Sequence, residues 1–247
     1  MIPSLINFGQ NSFFNRVDTI NVVNFGDTLK APWVGGINAA QFSTIDLNHD
    51  NLEDLFIFDR TGNKISTYIN SGGEYIYNSD YEKLFPDLNY WVLLRDFDND
   101  GKKDIFSYVS GGIGVWKNKS SSTQLSFEKV TDPFLTSYQF GNLTNLFVSK
   151  VDIPDINDID GDGDLDVLTF GVIGSRVEYH QNFSIENGYG SDSLIYEIKN
   201  ACWGHFLETG FNTNACILFD TCGNNVANPH APTINSIKHS GSTVLSI

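Results

Sequence analysis

The sequence predicts an all-β fold, a partial β-propeller of about four blades built from antiparallel four-stranded meanders. Three observations carry this expectation. An Asp/Asn-rich segment recurs three times, each copy is followed by short segments rich in β-branched and aromatic residues, and no window sustains helical periodicity. The copies are TIDLNHDNLEDLFIFDRTGNKISTYIN (Thr44 to Asn70), LRDFDNDGKKDIFSYVSGGIGVWKN (Leu94 to Asn118) and INDIDGDGDLDVLTFGVIGSRVEYHQN (Ile156 to Asn182).

Each copy reads as an apolar strand, an aspartate loop, a second strand (LFIFD, DIFSYV, DVLTF), a turn, and a third strand that ends on Asn. The turns RTGNK, SGGIG and VIGSR hold glycine, which suits the positive backbone angles of tight hairpins. The loops begin at Asp46, Asp96 and Asp158, 50 and 62 residues apart, a spacing that accommodates about four strands. One such sheet cannot bury both its faces, so the repeats are expected to stack within a single propeller unit over 1–247. The stretch of about 184–233 lacks an aspartate loop and is expected to be an insertion carrying the cysteines. His239 to Ile247 (HSGSTVLSI) resembles Gly36 to Ile45, which suggests the start of a further repeat and a chain that continues beyond it.

Composition narrows the partners. The 247 residues are 40% hydrophobic and 13% aromatic, enough for a sizeable core. A formal charge of −15 argues against nucleic acid, because nothing here could neutralise a row of phosphates. Thirteen of the 30 carboxylates fall within the three nine-residue loops 46–54, 96–104 and 158–166, so the acidity is local. Three divalent cations would bring −15 to −9. Cys202, Cys216 and Cys222 lie close together, do not match a zinc pattern, and suit a local disulfide in a secreted protein. No apolar run is long enough to cross a membrane, so no membrane insertion is expected, and the first residues do not form an export signal.

The loops carry the chemistry. Oxygen-bearing side chains recur at positions one, three, five and nine: Asp46, Asn48, Asp50, Asp54; Asp96, Asp98, Asp100, Asp104; and Asp158, Asp160, Asp162, Asp166. With a backbone carbonyl at position seven (Leu52, Lys102, Asp164), they supply most of the six to eight hard oxygens that calcium requires. About three Ca2+ sites are expected. Position six is Asn51, Gly101 or Gly163, residue types that tolerate the left-handed region. An EF-hand begins alike but needs Glu at position twelve and flanking helices; position twelve here is Ile57, Ser107 or Thr169.

These units resemble the FG-GAP/VCBS repeats of integrin alpha-subunit propellers and secreted bacterial proteins, over roughly Gly36 to Asn182. TFGVIGS (Thr169 to Ser175) looks like a degraded Phe-Gly and Gly-Ala-Pro signature, whose Phe-Gly the other two copies lack. The resemblance implies that each aspartate loop joins the first two strands of a blade, with calcium stiffening the hairpin at the rim. PWVGGINAAQFSTIDLNHD and NACWGHFLETG are looser matches to secreted proteins of Bacteroidetes.

Outside the loops no catalytic motif stands out, and no catalytic residue is expected. His49 and His180 are expected to be exposed or satisfied, and Asp152 and Asp155, just before the third loop, to be outward-facing loop carboxylates, with an extra ligand to that loop as the alternative. Trp91 and Trp116 are expected in the core and Trp33 exposed. The functional expectation is a non-enzymatic, extracellular or cell-surface module for adhesion or for recognising a protein or glycan. The alternative is the non-catalytic propeller portion of a secreted carbohydrate-active enzyme, a lyase or hydrolase.

Overall fold

Short runs of Val, Ile, Phe and Tyr bounded by Asp and Gly form strands throughout the computed structural model, which describes residues 17, 19–172, 176–207, 216–217 and 244. Among the described residues there is no α-helix, only a 3-10 turn at Glu82–Leu84. The chain divides into two units, Met1–Ile37 and Asn38–Ile247. In the first, β1 (Val23–Asn24) and β2 (Asp27–Thr28) pair antiparallel about Phe25 and Gly26, both at positive φ. The Trp33 indole there is 45% exposed and donates to the Ile20 carbonyl at 2.7 Å.

The second unit holds the repeats. β3 (Ala40–Ile45), β4 (Asp54–Asp59), β5 (Lys64–Asn70) and β6 (Tyr75–Tyr77) pair in that order as one antiparallel meander. β7 (Val92–Arg95), β8 (Asp104–Val109), β9 (Gly112–Asn118) and β10 (Phe127–Lys129) repeat it. The chain then forms a hairpin, β11 (Thr136–Gln139) and β12 (Asn142–Asn145), before β13 (Asp155–Asn157), β14 (Asp166–Phe170), β15 (Val177–Asn182) and β16 (Tyr196–Trp203) build the third meander. Beyond it, β17 (Phe206–Leu207) pairs with β18 (Cys216–Ile217).

The third sheet departs from the expected four strands. β11 pairs with β16 in parallel, through Ser137 opposite Tyr196, so the hairpin extends the sheet to six strands in the order β12-β11-β16-β15-β14-β13. These hairpin residues lie in the longer, 62-residue interval between the second and third loops. β16 falls inside the stretch 184–233 and is the fourth strand of this meander.

Period-two alternation decides the stacking. Ile45, Phe56 and Phe58 of the first sheet pack against Val92, Leu94 and Ile105 of the second. The next residue, Phe106, points the other way, and with Ile113 and Val115 meets Ile156, Val167 and Tyr196 of the third. Leu168 again reverses, so Leu168, Phe170, Val177 and Tyr179 form a third cluster, with Trp203 and Val244 packed on it. The Val244 amide also donates to the Ile153 carbonyl at 3.0 Å. The rest of 239–247, expected to begin a further repeat, lies outside the described residues apart from that one position. Stacked antiparallel sheets with a core at each interface are the architecture of part of a propeller. Trp91 is fully buried, as expected, while Trp116 is half-buried against the first interface.

Two turns show what glycine does here. In RTGNK the left-handed residue is Asn63 (φ 50°), not Gly62, which corrects the sequence expectation. In SGGIG, Gly111 takes φ 102°, while Gly112 is required for space, since a Cβ there would lie 2.4 Å from the Leu146 carbonyl oxygen. Gly112→Ala should therefore force β9 away from Leu146 and destabilise the unit by about 1–3 kcal/mol, read from urea unfolding followed by tryptophan fluorescence. An unchanged urea midpoint would contradict this reading of the close approach.

Candidate metal centre

Each aspartate loop joins the first and second strands of its meander (β3 to β4, β7 to β8 and β13 to β14), so all three connect equivalent strand ends. Their backbones are built alike. Position one accepts from the amides of positions five and six: Asp46 from Asp50 and Asn51, Asp96 from Asp100 and Gly101, Asp158 from Asp162 and Gly163. Position three (Asn48, Asp98, Asp160) accepts from the amide of position five, and position five (Asp50, Asp100, Asp162) from that of position seven. One oxygen set thus faces inward from a tight coil of chain. Position six is left-handed in all three, at φ 65°, 86° and 102° for Asn51, Gly101 and Gly163. Position four is left-handed as well, at 62°, 58° and 84° for His49, Asn99 and Gly161. The sequence reading missed this second bend, although Asn and Gly at two of the three positions were a signal for it.

Position nine has a further role that the sequence did not disclose. Asp54, Asp104 and Asp166 are fully buried. One carboxylate oxygen of each accepts from the amide of position two: Leu47 at 2.8 Å, Phe97 at 3.0 Å and Ile159 at 3.0 Å. The other accepts from the Asn that ends the third strand: Asn70 at 2.7 Å, Asn118 at 2.7 Å and Asn182 at 2.8 Å. These bonds come from the backbone amide, which any residue but proline could supply, so the identity of the terminal Asn rests on its side chain. Asn70 and Asn118 return their side-chain amides to the carbonyls of Glu53 and Lys103, just before position nine.

The acids converge. One oxygen each from Asp96, Asp98 and Asp104 lie within 4.8 Å of one another, as do oxygens of Asp158, Asp160 and Asp166. Calcium holds its oxygens at about 2.3–2.6 Å, so oxygens this close together can share one ion. In the first loop Asn48 offers an amide oxygen at the matching position. The third loop carries more charge than its sequence pattern implied, because Glu186 joins Asp160 and Asp162 in a second such group. Asp164, at position seven, is fully buried, with Oδ2 accepting from the Ile185 amide and Oδ1 unpaired, and Asp162 also keeps a buried unpaired oxygen. Carboxylates in this state suit a hard cation.

Electrostatics give the same picture. Burial, reinforced by neighbouring aspartates, raises Asp104 and Asp166 to about 6 and Asp164 to about 7. Burial likewise raises Asp54, Asp96 and Asp160.

Adjacent loops are tethered. Lys103 Nζ bonds Glu53 at 2.9 Å and the Thr44 hydroxyl at 2.7 Å, linking the second loop to the first repeat. Asn99 donates to the Gly163 carbonyl at 3.0 Å, linking the second loop to the third. EF-hand geometry is ruled out, since strands flank each loop and Ile57, Ser107 and Thr169 lie within β4, β8 and β14.

Other singled-out residues take structural positions. Asp152 and Asp155 are 2% and 3% exposed, so they are not outward-facing; Asp155 opens β13 opposite Leu168, and Asp152 lies close enough to Arg60 to stabilise its charge. His180 is buried, and its Nδ1 pairs with the Ser137 hydroxyl at 2.9 Å, pinning the inserted hairpin to β15. Glu178 stands 3.5 Å from Nε2, which is buried and makes no hydrogen bond, so His180 is neither exposed nor fully satisfied, in contrast to the sequence expectation. His49 is half-buried at position four. Cys202 is buried and disulfide-bonded, and the rest of the pairing lies outside the described residues.

The family model for an FG-GAP-like repeat matches residues 96–169, from the first aspartate of the second loop to the middle of β14. That stretch is similar to an FG-GAP-like repeat, and the chain carries at least this one repeat of the type. No curated protein matches it. The first loop lies outside the matched residues yet shares the hydrogen bonds of the other two.

The raised aspartates fix a pH dependence for the metal-free protein. Between the ordinary aspartate value of 3.8 and about 7, the folded state binds more protons than the unfolded chain, so stability falls as pH rises through that window. Asp59, lowered by backbone hydrogen bonds from Ala39, Asn38 and Thr61, acts oppositely but only below 3.8. Metal-free protein should therefore melt at a higher temperature at pH 5 than at pH 7.5 by scanning calorimetry, and saturating calcium at pH 7.5 should remove the deficit.

Proposed function

We propose that this chain is a calcium-stabilised, extracellular β-propeller module that binds a protein or glycan and has no catalytic role. The observation that carries the reading is a buried position nine aspartate in three identically built loops, with acids converging in the second and third, which a divalent cation would relieve. The ligands would be the position one, three, five and nine side chains with the position seven carbonyl. The cation would supply no chemistry beyond neutralising and bracing the hairpins. Sites of modest affinity fill outside cells and stay largely empty in the cytosol, which together with the Cys202 disulfide supports an extracellular setting. No helix among the described residues is long and apolar enough to cross a membrane.

Recognition rests on likeness to adhesive propellers and on the inserted hairpin, whose tip presents Phe140 (79% exposed) and Leu143 (68% exposed). A glycan array and a pull-down with calcium-loaded protein, each repeated with Phe140→Ser, address that part of the reading.

Calcium binding should couple to folding. One site held at a hundredfold excess over its Kd contributes about 2.7 kcal/mol, so chelation at pH 7.5 should lower the melting temperature by about 5–10 °C per saturated site. A melting curve unmoved by excess chelator would overturn the calcium reading.

A further inference from the structure

In the second and third repeats, position three of the loop is met by the residue just before the terminal Asn of the third strand, and the residue at that place differs in all three: Ile69, Lys117 and Gln181. In the second repeat the Lys117 ammonium is ion-paired with Asp98 Oδ2, the two side chains being 23% and 3% exposed. The ammonium also lies 5.9 Å from the centroid of the Phe97 ring, which holds it over the loop. In the third repeat a neutral donor takes this place, since Gln181 Nε2 bonds Asp160 Oδ2 at 2.5 Å and also Glu186. In the first repeat position three is the neutral Asn48, and Ile69 has no polar group and packs on the core between the first two sheets. A formal charge at position three thus coincides with a donor from the third strand.

Resting on the calcium reading above, we propose that Lys117 is an internal counter-ion of the second loop. Calcium must displace it, and the second loop therefore binds calcium more weakly than the third. The second loop brings four aspartates against one ammonium. The third brings Asp158, Asp160, Asp162 and Asp166, adds Asp164 and Glu186, and sets only an amide against them. A single positive charge roughly 5 Å from a divalent ion at a partly exposed site lowers affinity on the order of tenfold. Lys102, the other cation of this loop, stands 3.8 Å from Asp100, is 44% exposed and donates to the Ser120 carbonyl, so its influence is the smaller.

The position six glycine amides report each loop separately, since Gly101 donates to Asp96 and Gly163 to Asp158. Calcium titration of the metal-free chain, followed by amide NMR, should give a lower midpoint for Gly163 than for Gly101. Lys117→Gln, which borrows the side chain of the third repeat, should lower the Gly101 midpoint about tenfold and leave Gly163 in place. Lys117→Arg keeps the charge and should leave both midpoints within about twofold of wild type. A Gly101 midpoint that does not fall in Lys117→Gln, or that falls equally in Lys117→Arg, overturns the counter-ion role while leaving calcium binding intact. If neither glycine responds to calcium in the wild type, the calcium reading fails and the counter-ion role fails with it.

Discussion

The buried carboxylate at position nine of each loop is the constraint on which the rest of the unit depends. Asp54, Asp104 and Asp166 each hold two backbone amides, one from the start of the loop and one from the end of the third strand. Those bonds close the loop and fix where the third strand stops. Buried charge is tolerated only when it is hydrogen-bonded or paired, and two amides per aspartate go part of the way. The remaining electrostatic cost appears as raised proton affinity, strongest where further acids crowd in at the third loop. The same group that organises the hairpin therefore carries the electrostatic cost of the loop.

Because each loop sits between the first and second strands of its meander, the stacking of sheets brings successive loops side by side. Strand alternation sends Ile105 to one interface and Phe106 to the other, so the middle sheet serves two cores at once. Lys103 and Asn99 then carry the coupling from loop to loop. The hairpin β11–β12 interrupts this regularity without disturbing it. It adds to the outer edge of the third sheet, where β16 would otherwise be unpaired, and the Ser137 to His180 contact locks it in place. Its parallel pairing leaves an exposed apolar tip as the most conspicuous departure from a bare repeat.

Charge is distributed unequally over three loops whose backbones are the same. The first has a neutral Asn48, the second balances an aspartate with Lys117, and the third accumulates Asp164 and Glu186. A shared scaffold thus carries different side chains, and different charge, in the three loops without altering the fold. The backbone requirement is met by glycine or asparagine at positions four and six, with His49 the one exception, and places no restriction on the charge at position three.

The sequence by itself determined the repeat, its strands, the spacing of the loops and the side chains that point into them. It could do so because strand alternation and an every-second-residue ligand pattern are properties of the local chain. Trp91 in the core was legible from its apolar strand context and Trp33 at the surface from its Pro/Gly-flanked setting. Only the tertiary structure decided what depends on contacts between distant segments. The backbone amide that ends each third strand, 16, 14 and 16 residues beyond its partner at position nine in the three copies, meets that carboxylate only when the strand returns past the loop. The burial of Asp152 and Asp155, the two added strands of the third sheet, and Lys117 over Asp98 follow from the way sheets and strands are brought together. Local pattern fixes which face a side chain takes; which distant group it meets there is set by how the sheets stack.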